Sequence, residues 1–167
     1  MRKRLERLLP PGAGLWDEWK LYGVYALFLL VGVSFGFLFA YGNAKSYLYE
    51  WVYGKQVLIP GAKMPLFSTL MRHRLVGYWG YVLGCVGAAA GHYRSFYTPS
   101  SSIYVMRRLP DAGELHRRCW GMPLLAMAAG AVLAVVLTVL YWLVYRFATP
   151  AECLPENTIS DIWRALL

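Results

Sequence analysis

Residues 21–41 read LYGVYALFLLVGVSFGFLFAY, without a single charged side chain. A helix needs about 20 consecutive apolar residues to cross the hydrocarbon core of a bilayer. This stretch has that length, so the sequence predicts a first transmembrane helix over 21–41. The composition agrees, because 58% of the 167 residues are hydrophobic, and soluble domains are closer to half apolar.

Two further apolar stretches follow. Residues 75–91 are short and rich in glycine, whereas residues 121–147 are long enough to tilt within the bilayer or to extend past it. We therefore predict an all-α membrane protein with three transmembrane helices. The remaining segments are predicted as a cytoplasmic interfacial segment (1–20), an external loop (42–74), a cytoplasmic loop (92–120) and an external amphipathic tail (148–167).

The predicted connections contain amphipathic segments. Trp16 and Trp19 lie three residues apart beside charged neighbours, which indicates a short interfacial helix, with a solvated leader as the alternative. Aromatic residues crowd the start of the 42–74 loop and predict a second interfacial helix there. In the tail, Asn157 or Thr158 is a candidate helix cap, and the apolar face that follows would lie on lipid or on a partner. A secretory signal is disfavoured because the first apolar run is too long.

The charge distribution suggests an orientation. Lys and Arg number 17 against 9 Asp and Glu, giving a net charge of +8. With the N-terminus inside, ten basic residues are cytoplasmic and seven are external. Because cytoplasmic loops carry the excess of basic residues, we predict a multi-pass plasma-membrane protein with a cytoplasmic N-terminus and an external C-terminus. The basic excess fits anionic headgroups, and no nucleic-acid partner is expected.

Small residues recur on one face of the second and third predicted helices. Such spacing lets another helix backbone approach closely, although glycine is also generally common in membrane helices. The pattern does not say whether the neighbour belongs to the same chain. The predicted packing residues are Gly77, Gly80, Gly84, Gly87 and Gly91 on the second helix, and Ala126, Gly130 and Ala134 on the third.

The second connection, residues 92–120, contains the clearest signals of helix starts and ends. Ser100–Ser102 can cap a short helix beginning near Ile103, and Pro110 ends that helix at the preceding residue. Asp111 can then cap the next helix, with Glu114 three residues later as in a capping box. The sequence therefore predicts a short helix, a Leu-Pro turn and a second helix leading into the membrane.

This connection resembles the loop between spans two and three of type-2 ABC exporter permeases. The resemblance rests on the serine-rich start, the run from Ile103 to Pro110, and Glu114-Leu115 with a basic pair before a span. It implies a coupling helix that docks on a nucleotide-binding subunit. Such permeases usually have six spans, so three spans imply a half-subunit, a paired partner or an accessory subunit. The implied docking residues are Ile103, Tyr104, Met106, Arg107, Arg108, Leu109, Pro110 and Glu114.

The arginines of this loop also have a simpler interpretation. Basic side chains beside a span commonly anchor it by reaching to lipid phosphates. That interpretation is favoured for Arg117 and Arg118, which adjoin the third predicted span. Docking is favoured for Arg107 and Arg108, which lie farther from any span.

The sequence lacks the motifs of several chemistries. There is no phosphate-binding loop, so no cofactor is expected in this chain and ATP is assigned to a partner subunit. There is no HExxH or GxSxG motif, no predicted metal site, and no acidic residue within a predicted span. The histidines are interpreted as interfacial polar groups, and the cysteines are expected at different depths without a disulfide: His73, His92, His116; Cys85, Cys119, Cys153.

The favoured hypothesis is a non-enzymatic membrane subunit of an ABC-type exporter. Its expected partners are an ATP-binding subunit, another membrane subunit or a second copy of itself, and the lipid bilayer. The alternative is an accessory or scaffolding subunit of a larger membrane complex, in which the basic loop is an anchor. An enzyme acting on lipid has little support, because no paired carboxylates or nucleophile and base lie at membrane depth.

Overall fold

The computed structural model describes residues 9, 14–72, 76–97, 112–155, 161 and 165. These residues are mostly helical, as predicted, with one small sheet. In chain order the elements are α1 (Leu15–Ser46), β1 (Tyr49–Val52), β2 (Lys55–Leu58), α2 (Phe67–Met71), α3 (Val76–Tyr97), α4 (Ala112–Ala148) and a 3-10 turn (Ala151–Cys153).

Helix α1 is longer than the predicted span. Its first turn begins on the Gly14 carbonyl, which accepts hydrogen bonds from the backbone N–H groups of Asp17 (3.1 Å) and Glu18 (3.2 Å). The acidic residues in its first turn and Lys45 in its last turn interact favourably with the helix dipole. The residues around Trp16 and Trp19 are thus helical, as predicted, but continuous with the first apolar run, and their interfacial position remains a prediction. Those residues form the first turns of α1 because no glycine or proline interrupts the chain there.

Among the described residues, two helices are long and apolar enough, by length and composition, to cross a membrane: α1 and residues Gly113–Ala148 of α4. Helix α3 has 22 residues, but it does not meet the same hydropathy criterion. The physical reason is its content of glycine, tyrosine, tryptophan and histidine. A third span at α3 thus remains a prediction.

The first connection forms a β-hairpin where an interfacial helix was predicted. Strands β1 and β2 pair antiparallel, with Tyr49 opposite Leu58 and Val52 opposite Lys55. The two loop residues, Tyr53 and Gly54, both have positive φ, as a type I′ turn requires. Alternating aromatic residues at 49, 51 and 53 are typical of a strand. That period-two signal outweighs the general aromatic richness that suggested a helix.

The chain divides into two compact units. The first comprises the described residues of Met1–Leu29 and Tyr78–Ala131, and the second those of Leu30–Gly77 and Val132–Leu167. Helices α1 and α4 contribute residues to both.

An aromatic cluster forms the core of the second unit. The Phe37 ring is completely buried and stacks on the Tyr141 ring at 4.6 Å between centroids. It also meets Phe67 of α2 edge-on at 6.0 Å. The Tyr145 hydroxyl donates to the Pro65 carbonyl at 2.8 Å. Burial of these large rings removes much apolar surface from solvent and so stabilises the unit. The hydrogen bond from the Tyr145 hydroxyl holds the loop before α2 in place.

The tail folds back onto this unit. Asp161 is 3% exposed, and its carboxylate accepts bonds from the Ser68 backbone N–H (3.1 Å) and hydroxyl (2.5 Å). A tail carboxylate thus caps α2, whose own Leu66 cap position offers no side-chain acceptor. The Cys153 carbonyl accepts a bond from the Met64 N–H at 2.9 Å. The predicted apolar face lies entirely outside the described residues: Ile159, Ile162, Trp163, Leu166 and Leu167. Asp161 and Ala165, which were not part of that face, are described and buried.

In the first unit, tyrosine rings pack against two of the predicted packing glycines. The Tyr25 ring covers Gly84, and the Tyr81 ring covers Gly130, where an added Cβ would lie 2.3 Å from a ring carbon. The Tyr81 hydroxyl also donates to the Ala126 carbonyl at 2.7 Å, which holds the ring in place. Within the described chain, nothing lies within 4 Å of a Cβ built at Gly80, Gly87 or Gly91.

Gly130→Ala should destabilise the protein by about 2 kcal/mol, because overpacking against a held ring forces a displacement. The matched control is Gly87→Ala, which meets open space and should be neutral or slightly stabilising through helix propensity. Both variants are compared by thermal unfolding in detergent, followed by circular dichroism. Equal melting temperatures for the two variants would contradict the contact between Tyr81 and Gly130.

Candidate coupling site at the base of the second connection

Most of the predicted docking residues lie outside the described part of the chain. These are Ile103, Tyr104, Met106, Arg107, Arg108, Leu109 and Pro110, together with Asp111 of the predicted capping box. The structure does describe the two helices from which this connection leaves and to which it returns, α3 and α4, and the polar contacts at their ends.

His92 is the central residue of these contacts. It lies near the end of α3 and is only 8% exposed. Its Nδ1 is 3.2 Å from the Cys119 carbonyl oxygen of α4, and its Nε2 is 2.8 Å from Glu18 Oε1 of α1. One imidazole ring therefore joins three helices. Glu18 is itself buried, at 9% exposure.

The chemistry of the partners fixes the proton count. A carbonyl oxygen only accepts, so the Nδ1 of His92 carries a hydrogen and donates it to Cys119. The contact between Nε2 and Glu18 then needs one more hydrogen, held either as imidazolium facing carboxylate or as imidazole facing a carboxylic acid. Both arrangements are neutral as a pair, which lowers the cost of burial.

A second contact lies one residue further along α3. The Tyr93 hydroxyl shares a hydrogen bond with Nδ1 of His116, in the first turns of α4. We call Glu18, His92, Tyr93, His116 and the Cys119 carbonyl the clamp. The clamp holds the end of α3 to the start of α4, so it fixes both ends of the second connection.

Glu114 pairs with two arginines of its own helix. Its Oε1 lies 3.4 Å from Arg117 and 3.1 Å from Arg118, one turn further along α4, while the predicted capping-box contact involves Asp111, which lies outside the described residues. Such pairs contribute a few tenths of a kcal/mol, about 0.3–0.5. Arg117 and Arg118 were interpreted as lipid anchors, and their pairing with Glu114 supports the local helix as well.

Two buried polar atoms of the first unit have no hydrogen-bond partner among the described residues. Among the described residues, neither Glu18 Oε2 nor the Tyr22 hydroxyl makes a hydrogen bond. They lie one helical turn apart on α1. Leaving such groups unsatisfied costs about 1–3 kcal/mol each. These two atoms are the least well satisfied polar groups that the described part of the first unit buries.

The sequence alone did not identify the clamp. His92 was interpreted as an interfacial group because it ends an apolar run, and Glu18 as part of a surface segment. A usable signal was present: an acidic residue four positions before Tyr22, on a helix that continues into an apolar run. The packing residues predicted on the third span are not part of the clamp. Ala126 and Gly130 contact Tyr81, and the carbonyl of Ala134 accepts a hydrogen bond from the Thr138 hydroxyl.

Other site types find no support in the described residues. No group of three His, Cys, Asp or Glu there could hold a metal ion. The three cysteines, all described, are free and buried. No protein-family model, curated protein or solved structure matches the chain.

Removing the Glu18 carboxyl should destabilise the protein. Glu18→Ala leaves Nε2 of buried His92 without a partner and should cost about 3 kcal/mol. Glu18→Gln can donate its amide hydrogen to Nε2 of neutral His92 and should cost about 1 kcal/mol. Unfolding in detergent measures both.

The control for these variants is the neighbouring carboxylate. Asp17 is exposed, and its contact with Lys20 is 3.8 Å, so Asp17→Ala should change stability by less than about 0.5 kcal/mol. If Glu18→Ala were as mild as Asp17→Ala, the contact between Glu18 and His92 would not contribute to folding.

The two tyrosine hydroxyls of the first unit should respond in opposite ways. Tyr22→Phe removes an unpartnered buried hydroxyl and should leave stability unchanged or raise it by up to about 1 kcal/mol. Tyr81→Phe removes a bond to the Ala126 carbonyl and should lower stability by about 1 kcal/mol. The two melting temperatures, measured in the same detergent, test this; a larger loss for Tyr22→Phe would show that its hydroxyl has a partner.

Proposed function

We propose that the chain is a non-catalytic membrane subunit of an ABC-type exporter. Its second connection docks an ATPase partner, and the clamp transmits the partner's movement to the membrane helices. The clamp is the observation that carries the proposal, since it ties the helices on either side of that connection to each other and to α1.

The mechanism follows from the position of the clamp. A short connection held firmly at both ends behaves as a lever, because a push on it cannot be absorbed by separation of its flanking helices. His92 and Tyr93 receive the movement at the end of α3, and His116 and Cys119 at the start of α4. Glu18 passes it to α1. Coupling of this kind needs an element with two discrete arrangements. In this proposal the contact between His92 and Glu18 is that element.

Membrane insertion is supported by the surfaces of the two candidate spanning helices. Large apolar side chains on α1 and α4 are open to the surroundings, among them Phe28 and Phe35 at 72% exposure and Val132 at 64%. An exposed apolar surface of this extent is costly in water and is suited to lipid or to other membrane helices. With the predicted orientation, the clamp lies on the cytoplasmic side, where ATP is available.

The second candidate function is an accessory or scaffolding subunit. It is favoured by the open face of α3, where Gly80, Gly87 and Gly91 have room for a neighbouring helix. In that case the basic second connection only anchors the chain, and no nucleotide-binding partner is required.

The decisive experiment is purification of the tagged chain from its native host in mild detergent, with mass spectrometry of the proteins recovered. We expect a stoichiometric ATPase with a phosphate-binding loop. The double variant Arg107→Glu with Arg108→Glu should lose it, because charge reversal on the docking helix turns attraction into repulsion. Circular dichroism must show that the variant still folds.

The matched control is Lys55→Glu with Lys63→Glu, which makes the same charge change in the first connection. This variant should retain the ATPase. Recovery of other membrane proteins without an ATPase would contradict the exporter proposal and favour the accessory subunit. Loss of the ATPase in both double variants would contradict docking through the second connection.

A further inference from the structure

The β-hairpin of the first connection exposes almost all of its side chains. In β1 only Tyr49 is partly covered, and in β2 only Leu58. Trp51 is 69% exposed, and Tyr53 at the turn is fully exposed. A two-stranded hairpin alone is at best marginally stable in water and needs another surface to pack against. The exposed aromatic rings mark where that surface lies.

A groove of about 310 Å³ runs between one face of this hairpin and the end of α1. We call it the hairpin groove; its lining residues are Gly42, Lys45, Ser46, Tyr49, Trp51 and Gln56. Tyr49 and Trp51 lie two residues apart on β1, so their side chains share the face that lines it.

Lys45 gives the groove its charge. Its ammonium lies 3.4 Å from the Ala148 carbonyl oxygen and 6.0 Å from the Tyr41 ring centre. Among the described residues, no carboxylate lies within salt-bridge distance of Lys45. The carboxylate of Glu50 points away, because residue 50 is on the opposite face of β1 from Tyr49 and Trp51. The described lining of the groove thus presents a positive charge beside aromatic rings and contains no carboxylate.

We propose that the hairpin lies in the interfacial layer of the bilayer and that the hairpin groove binds an anionic phospholipid headgroup. The inference rests on the proposed membrane location. The Lys45 ammonium faces the lipid phosphate, and the Trp51 indole and Tyr49 phenol lie at headgroup depth, where such amphipathic rings concentrate.

The position of the hairpin in the chain favours lipid as the occupant. Helix α1 is a candidate spanning helix that ends at Ser46, and β1 begins at Tyr49, only three residues later. The hairpin is therefore attached where α1 would leave the hydrocarbon layer. The first connection also carries one acid, Glu50, against five basic residues, a balance that complements an anionic surface.

The test places a fluorophore on the hairpin in vesicles. Gln56 is exposed on the face of β2 that lines the groove, and the native cysteines are buried, so Gln56→Cys can be labelled selectively with a bimane dye. The protein is reconstituted in equal parts phosphatidylglycerol and phosphatidylcholine, with a nitroxide quencher near the glycerol of one lipid or the other. Quenching then reports which lipid lies beside the hairpin.

We expect the quencher on phosphatidylglycerol to be about fivefold more effective than the quencher on phosphatidylcholine. One lysine near an anionic surface contributes about that factor to binding. Lys45→Gln should reduce this preference to near equality. The control Lys63→Gln removes an equal charge outside the hairpin groove and should keep it. Lys45→Arg should keep it too, which separates loss of charge from loss of folding.

Two results would overturn the inference: equal quenching by both lipids in the unaltered protein, or no quenching by either while the chain stays in the vesicles. The latter would indicate a protein partner or water around the hairpin. If the chain were extracted from the vesicles by alkaline carbonate, the proposed membrane location would itself fail, so the two failures are distinguishable.

Discussion

The buried contact between Glu18 and His92 constrains the first unit more than any other single interaction. Burying a carboxyl and an imidazole is costly unless each meets a partner, and here the ring meets one on either side. Because Nδ1 of His92 must donate to the Cys119 carbonyl, the ring plane and its tautomer are fixed. Glu18 is then held at one distance from α4. The register of α1, α3 and α4 near the second connection follows from this geometry.

The second unit is stabilised mainly by aromatic packing. Its core is a cluster of stacked and edge-on rings around Phe37, supplemented by hydroxyl bonds to backbone carbonyls. The tail adds a carboxylate cap, since Asp161 satisfies the start of α2, where the local sequence offers no acceptor. The residues after α4 thus complete this unit, which a view of the tail as a free amphipathic segment would miss.

The long helices were predictable because an apolar run of about 20 residues without charges almost always forms a helix that spans a membrane or is buried. The ends of these helices were not predictable from hydropathy. Helix α1 already includes Trp16 and Trp19, because its first backbone hydrogen bonds are made to the Gly14 carbonyl. The hairpin was missed because aromatic richness was weighed above the alternation of Tyr49, Trp51 and Tyr53. The contact between Glu18 and His92 joins residues 74 positions apart, and a single sequence carries no signal for such pairing. The packing glycines illustrate the same limit: their spacing is regular, yet within the described chain Gly84 and Gly130 meet tyrosine rings whereas Gly80, Gly87 and Gly91 meet nothing within 4 Å.

ATP hydrolysis in the assembled complex is the most direct test of transmission through the clamp. The rate is measured in lipid nanodiscs for the co-purified ATPase with the native chain and with Glu18→Gln, which replaces the carboxyl while conserving shape and a hydrogen bond to His92. Transmission through the clamp predicts that the ATPase remains bound to the Glu18→Gln chain in equal amount and that its hydrolysis rate changes several-fold. An unchanged rate with unchanged binding would contradict it and leave the clamp a purely structural contact.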